Sequence, residues 1–111
     1  MRITVQMLAQ AGACNRSMLW FLDAFPGGAD VTRENLEISE KAGLDLAWFR
    51  HLLPPSTTRE ALLDAILAAQ KTIGDIARPT QADDRAFVEA IIEAILGAVQ
   101  VEADAAREKQ E

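Results

Sequence analysis

Two long stretches of helical apolar spacing, separated by one proline, constrain the second half of the chain. In the first stretch, apolar residues recur at intervals of four, three, four and three, the heptad spacing of a helix that packs on one face. Pro79 ends this helix because the residue before a proline is pushed out of the helical region. Thr80 can cap a final helix that begins near Gln81. We therefore predict an antiparallel hairpin of two long helices over residues 56–111. The heptad residues are Leu62, Ile66, Ala69, Ile73 and Ile76.

Capping residues, glycines and prolines divide the first half of the chain into short helices, and the predicted caps are Thr4, Thr32 and Asp45. No segment shows the sustained alternation of a surface strand, and Ile3-Thr4-Val5 is too short to change that. Short helices are marginal alone and need tertiary packing. We predict an all-α fold and one domain over residues 1–111: four short N-terminal helices packed on the long C-terminal hairpin. The short helices are Val5–Ala11, Asn15–Phe25, Arg33–Ala42 and Leu46–Leu53.

The last helix carries an apolar stripe wider than one partner helix can cover. Ile91, Ile95 and Val99 lie along this stripe. Either the N-terminal helices or a second chain must cover what the hairpin partner leaves open. We favour self-association through these three residues and expect a homodimer.

The charge of the chain is acidic and uneven. It has 11 Lys and Arg residues against 17 Asp and Glu residues, a net charge of −6. This excess argues against direct binding to nucleic acid or an anionic membrane, which needs a cationic surface. The acidic surplus lies in residues 56–111, so we predict a solvated acidic face on the long helices. It includes Asp83, Asp84, Glu89 and Glu93.

No group of residues predicts an enzyme, a metal site or a cofactor. Paired carboxylates such as Glu89 and Glu93 could bind a metal, but a helical-bundle site normally adds histidines, and His51 is the single histidine. A nucleophilic Cys14 would need a neighbouring base, and no oxyanion-hole pattern accompanies it. We expect Cys14 and His51 to be structural, with Cys14 a small buried thiol.

The hydropathy of the chain indicates a protein of the cytoplasm. Its longest strongly apolar run, Met18 to Leu22, is far short of the ~20 residues of a membrane span. The first residues lack the apolar core of a signal peptide. A single cysteine cannot form an internal disulfide.

One segment of the first half resembles a helix-turn-helix. Residues 38–44 followed by 48–51 resemble the turn and recognition helix of tetracycline-repressor-type regulators, which also continue into a long helix. Two features differ from that pattern. The stretch after Gly43 is one residue short, which rotates the second helix by about 100°. The positions it would expose, at residues 46–48, are apolar, with Arg50 the nearest cation. A DNA-binding regulator is therefore the alternative prediction.

The order of short motifs along residues 12–53 forms a second resemblance. These motifs are Ala13-Cys14, Trp20-Phe21, Phe25-Pro26 with Gly28, Val31-Thr32, Leu44-Asp45, Trp48 and Leu52-Leu53. In this order they resemble a small helical module of uncharacterised phage and prophage proteins. The resemblance implies a phage origin, in the cytoplasm of a bacterial host, and brings no biochemical activity with it.

These observations lead to one functional expectation and one further alternative. We expect a non-enzymatic, protein-binding accessory protein that occludes a surface of a host protein, as inhibitors of bacterial defence complexes such as anti-CRISPR proteins do. The acidic face would compete with nucleic acid for the basic groove of such a complex. The further alternative is an oligomeric structural or assembly component that uses the apolar stripe.

Overall fold

Helices make up most of the fold, as the apolar spacing predicts. The computed structural model describes the backbone of residues 1–110 and the side chains of residues 1–108. Within that range the chain forms five α-helices, one 3₁₀ helix and two very short strands. In order, they are β1 (Arg2–Ile3), α1 (Val5–Gln10), α2 (Asn15–Ala24), β2 (Ala29–Asp30), α3 (Arg33–Lys41), the 3₁₀ helix (Leu46–Leu52), α4 (Thr57–Gly74) and α5 (Gln81–Gln110).

Most of the helix starts follow from the predicted capping residues. The hydroxyl of Thr4 accepts a hydrogen bond from the third residue into α1, and Thr32 does the same for α3. Asp45 caps the 3₁₀ helix in a similar way. The pattern of Thr57 with Glu60 three residues later predicts a cap at Thr57. The cap of α4 is instead Ser56, one residue earlier, whose hydroxyl accepts from the Arg59 amide at 3.3 Å. Ser56 has the extended backbone that a capping residue needs.

Two glycines end α1 and α3 in the same way. Gly12 and Gly43 have φ values of 87° and 88°, the left-handed region that a glycine adopts without a steric cost. The amides of each glycine and of the residue after it bond back to helix carbonyls in a Schellman motif. The chain therefore turns sharply after each of these helices.

The fourth helix is a 3₁₀ helix and not the α-helix that the sequence predicts. Leu46, Phe49 and Leu52 recur at intervals of three, and residues at that spacing lie above one another in a 3₁₀ helix. The segment is confined between the Asp45 cap and Pro54-Pro55. The tighter helix thus places Leu46, Phe49 and Leu52 on one face.

A two-stranded ribbon departs from the predicted all-α fold. β1 pairs antiparallel with β2, with Ile3 opposite Ala29, and both of these residues are buried. Gly28 has a φ of 94°, and a Cβ there would lie 2.9 Å from the carbonyl oxygen of Ile3. Strands of two residues are too short to give an alternating pattern in the sequence, so the ribbon could not be predicted.

α4 and α5 pack against one another over much of their length. The Ser56 hydroxyl donates to Glu102 at 3.2 Å, which places the start of α4 beside the later part of α5, so the two helices run antiparallel. α3 and the 3₁₀ helix also contact α5, while α1 and α2 pack on each other. The long dimension of the molecule, 48 Å, is close to the length of a 30-residue helix, about 45 Å.

The wide apolar stripe of α5 is covered within the chain. Ile91, Ile95 and Val99 are 2%, 0% and 9% exposed in the single chain. α4 packs on α5 as its hairpin partner, and α3 and the 3₁₀ helix also lie against α5. Helices of the N-terminal half therefore cover what α4 leaves open. These three side chains are therefore buried within the single chain, and self-association and the expected homodimer stay predictions.

The end of the chain continues α5. The sequence predicts a frayed helix over residues 102–111; α5 extends through Gln110, and Glu111 lies outside the described residues. Over residues 1–110, none of the helices combines the length and the hydropathy that a membrane span requires.

Shortening the Ile95 side chain should lower the free energy of unfolding strongly. Ile95→Ala leaves a cavity in the packed centre of α5, and we expect a loss of about 2–5 kcal/mol. Val101→Ala, at a position that is 55% exposed, is the matched control and should cost less than about 0.5 kcal/mol. Urea denaturation followed by circular dichroism measures both.

The same unfolding experiment tests which chain covers the stripe. A stripe covered within one chain gives an unfolding midpoint that does not change with protein concentration. A midpoint that rises with concentration, together with similar losses in the two variants, would contradict the burial described here.

Candidate functional site

Asp83, the first residue of the predicted acidic face, is engaged in capping α5. Its carboxylate accepts from the backbone amide of Thr80 at 2.8 Å, and the Thr80 hydroxyl accepts from the Asp83 amide at 3.2 Å. This reciprocal pair is a capping box, which satisfies amides at the helix start. Asp83 therefore has a structural role, while its neighbour Asp84 is exposed to solvent.

Glu89 and Glu93 are placed next to a cation from another helix. Arg33, at the start of α3, lies 2.6 Å from a carboxylate oxygen of Glu89 and 3.7 Å from one of Glu93. The hydrogen bond to Glu89 raises the pKa of Arg33 above its ordinary value. All three side chains are substantially exposed, so this pairing orients α3 on α5 more than it stabilises the fold.

The structure adds acidic residues that the sequence analysis did not include. Glu37 and Glu40 of α3 face α5 across a shallow depression of about 160 Å³, which Asp84 and Glu89 also line. Lys41 and Arg85 are the basic residues of its lining, and Val88 and Ile92 are the apolar ones. We call this feature the acidic depression. Its signal in the sequence is the spacing of Glu37 and Glu40, which lie three residues apart on one face of α3.

Cys14 and His51 have different partners. The Cys14 thiol is exposed, not buried as expected, and lies 3.2 Å from the Ser17 hydroxyl, whose hydrogen bond lowers the pKa of the thiol. His51 lies on the 3₁₀ helix, with its Nδ1 atom 3.3 Å from the Arg59 guanidinium. A guanidinium only donates, so Nδ1 of His51 must be the acceptor.

Within residues 1–108, the side chains form no cluster of three or more His, Cys, Asp or Glu residues suited to a metal ion.

The aromatic residues of the first half divide between the core and a cavity. Phe21 and Phe49 are buried, while Trp20 and Trp48 are half-buried. Trp20 packs edge-on against Phe25, with ring centroids 5.8 Å apart. Trp48, Phe21 and Phe49 line an open apolar cavity, which no pattern in the sequence predicts.

The segment that resembles a recognition helix is the 3₁₀ helix. Ala47, one of the positions expected to face DNA, is buried, and Leu46 and Trp48 are half-buried. Arg50, its one arginine, donates to the carbonyl oxygen of Ala47 at 2.6 Å. These features give the helix-turn-helix alternative no added support.

Comparisons with known proteins leave the family of the chain open. The chain matches no protein-family model, no curated protein and no solved structure. The resemblance of residues 12–53 to phage and prophage proteins therefore stays a prediction.

His51 should make the stability of the fold depend on pH. Burial, with the nearby cations of Arg50 and Arg59, lowers the pKa of His51, so the folded protein binds the proton less readily than the unfolded chain. The unfolded-state pKa of histidine is about 6.5. The contribution of a neutral His51 is thus complete above about pH 6.5 and is lost as the pH falls from there through the folded-state pKa.

The substitution His51→Gln isolates this effect. Glutamine keeps an acceptor for Arg59 but does not titrate, so the variant should lose less stability than the parent protein between pH 7.5 and pH 5.5, about one unit to either side of 6.5. Urea denaturation at a series of pH values measures the difference. Parallel curves for the two proteins would mean that His51 does not titrate differently on folding.

Proposed function

We propose that this protein is a non-enzymatic accessory protein of phage or prophage origin that binds a host protein and occludes one of its surfaces. Its partner is a basic, nucleic-acid-binding host complex, and its class is that of anti-CRISPR-like inhibitors of bacterial defence. The observation that carries the proposal is the acidic depression, where carboxylates from two different helices converge.

The composition of the acidic depression fits a basic side chain of a partner. Its lining has four acidic and two basic residues, and Val88 and Ile92 supply apolar surface between them. Arg and Lys side chains combine an apolar stem with a charged head, so they match an apolar floor with an acidic rim. Glu89 already binds a guanidinium, that of Arg33, which demonstrates the pairing within the molecule itself.

The distribution of charge also supports occlusion of a nucleic-acid site. The groove of a nucleic-acid-binding protein is lined with cations that neutralise phosphates. A chain of net charge −6 is attracted to such a groove over a distance set by the ionic strength, and it would exclude nucleic acid once bound. No covalent chemistry is needed for inhibition of this kind.

Removing three of the acidic charges of the depression should weaken partner capture. In the triple variant Glu37→Gln, Glu40→Gln and Asp84→Asn, the depression keeps its shape but loses three carboxylates. Tagged protein is incubated with lysate of the bacterial host at low and moderate salt, and captured complexes are identified by mass spectrometry. We expect the parent protein to enrich a basic nucleic-acid-binding complex, and the triple variant to enrich it at least about tenfold less, a loss of about 1.4 kcal/mol in binding free energy.

A matched control separates the site from net charge. The control removes the same number of negative charges from exposed positions, in α4 and just after it, that do not line the depression. Its substitutions are Glu60→Gln, Asp64→Asn and Asp75→Asn. This control should capture the complex as the parent does, and added nucleic acid should displace the parent protein. Absence of a basic complex from the captured proteins, or equal loss in both triple variants, would overturn the proposal.

A further inference from the structure

The N-terminal half of the molecule encloses an open cavity of about 390 Å³. Its lining residues all lie between Ile3 and Leu52, so α4 and α5 contribute none of them. α1, α2, α3 and the 3₁₀ helix supply the walls, together with the turns that follow α1 and α3. This volume falls within the range of sites that hold small organic molecules, about 300–1,000 Å³.

The walls of the cavity are apolar and partly aromatic. Phe21 and Phe49 are buried beneath it, and the half-buried indole of Trp48 lies at its side. Leu46, Phe49 and Leu52 lie along one face of the 3₁₀ helix, and all three line the cavity. Such walls gain dispersion contacts when an apolar molecule with flat rings enters.

The charged groups of the lining exclude an anion. Asp30 and Asp45 are the only charged residues among the lining residues, all of which lie in the described part of the chain. Asp30 is paired with Arg2 at 3.0 Å, and Asp45 accepts from the Ala47 amide at 3.0 Å. A carboxylate or phosphate in this cavity would lose hydration without finding a cation, which is costly. Fatty acids and nucleotides are therefore poor occupants.

Few polar groups remain to orient a ligand. The Ser39 hydroxyl donates to the Asn35 carbonyl within α3, and the Asn35 amide donates to the Asp30 carbonyl, both at 2.9 Å. Ser17, paired with Cys14, brings a hydroxyl to the cavity lining. The cavity thus combines apolar walls with a small number of placed polar groups, the composition typical of a small-molecule site.

We infer that this cavity binds an uncharged, largely apolar small molecule with aromatic rings, of the size of a substituted naphthalene. The site shares no residue with the acidic depression and does not depend on the proposed function.

Two fluorescent probes of nearly equal shape test the chemistry of the occupant. N-phenylnaphthylamine is uncharged, and anilinonaphthalene sulfonate adds one anionic group to a similar ring system. We expect saturable binding of the uncharged probe at one molecule per chain. The sulfonate should bind at least about tenfold more weakly, because the cavity lining offers no cationic side chain to pair with it. Equal affinity for both, or no saturable binding of the uncharged probe, would overturn the inference.

The two tryptophans allow the probe to be located. Trp48 lines the cavity and Trp20 does not, so Trp20→Phe leaves Trp48 as the only tryptophan. In this variant the bound probe should quench Trp48 emission in parallel with the rise of its own fluorescence. Undiminished Trp48 emission at saturation would place the probe elsewhere and contradict the inference.

Variants that fill the cavity complete the test. Ser17→Phe places a ring in the cavity from α2, and Leu19→Phe adds a ring on the same helix at a side chain that is 68% exposed. The first should weaken binding of the uncharged probe at least about tenfold, and the second should leave it unchanged. Ser39→Leu fills the cavity from α3 and serves in place of Ser17→Phe if circular dichroism shows that variant to be unfolded. Parental affinity in a folded filling variant would refute the site.

Discussion

The burial of one isoleucine-rich face of α5 is the constraint on which the rest of the structure depends. Ile91, Ile92 and Ile95 are almost fully removed from solvent, and each side chain of this size contributes about 1.5–3 kcal/mol when buried. α4, α3 and the 3₁₀ helix all meet on this helix. Because helices as short as α3 are marginal alone, their position is set by what they cover on α5. The acidic depression exists because α3 is held there.

The sequence predicted the local features of the fold well and the tertiary ones less well. Caps such as Thr4, Thr32 and Asp45 act on amides a few residues away, so their effect can be read without a structure. The sequence could not predict which chain covers the α5 stripe, because burial by the same chain and burial by a second chain require the same apolar residues. The ribbon of β1 and β2 joins segments nearly thirty residues apart and leaves almost no pattern.

The candidate sites show the same division. Asp83 and Glu89 stood out as acidic residues, but only the structure shows that one caps a helix and the other pairs with Arg33. Glu37 and Glu40 gain their significance from the placement of α3 beside α5. The cavity could not be predicted from the sequence, because each of its walls is an ordinary apolar helix face. Its three-residue spacing at Leu46, Phe49 and Leu52 becomes meaningful once the segment is known to be a 3₁₀ helix.

α3 separates the two surfaces that carry the proposals. Asn35, Leu36 and Ser39 line the apolar cavity, whereas Glu37 and Glu40 line the acidic depression. Successive residues of an α-helix are about 100° apart, so a helix of nine residues can serve a cavity on one side and a charged surface on the other. A substitution in α3 therefore acts on one surface or the other according to its face. Loss of partner capture without loss of probe binding would be the expected signature of the glutamate variants, since their side chains point away from the cavity lining.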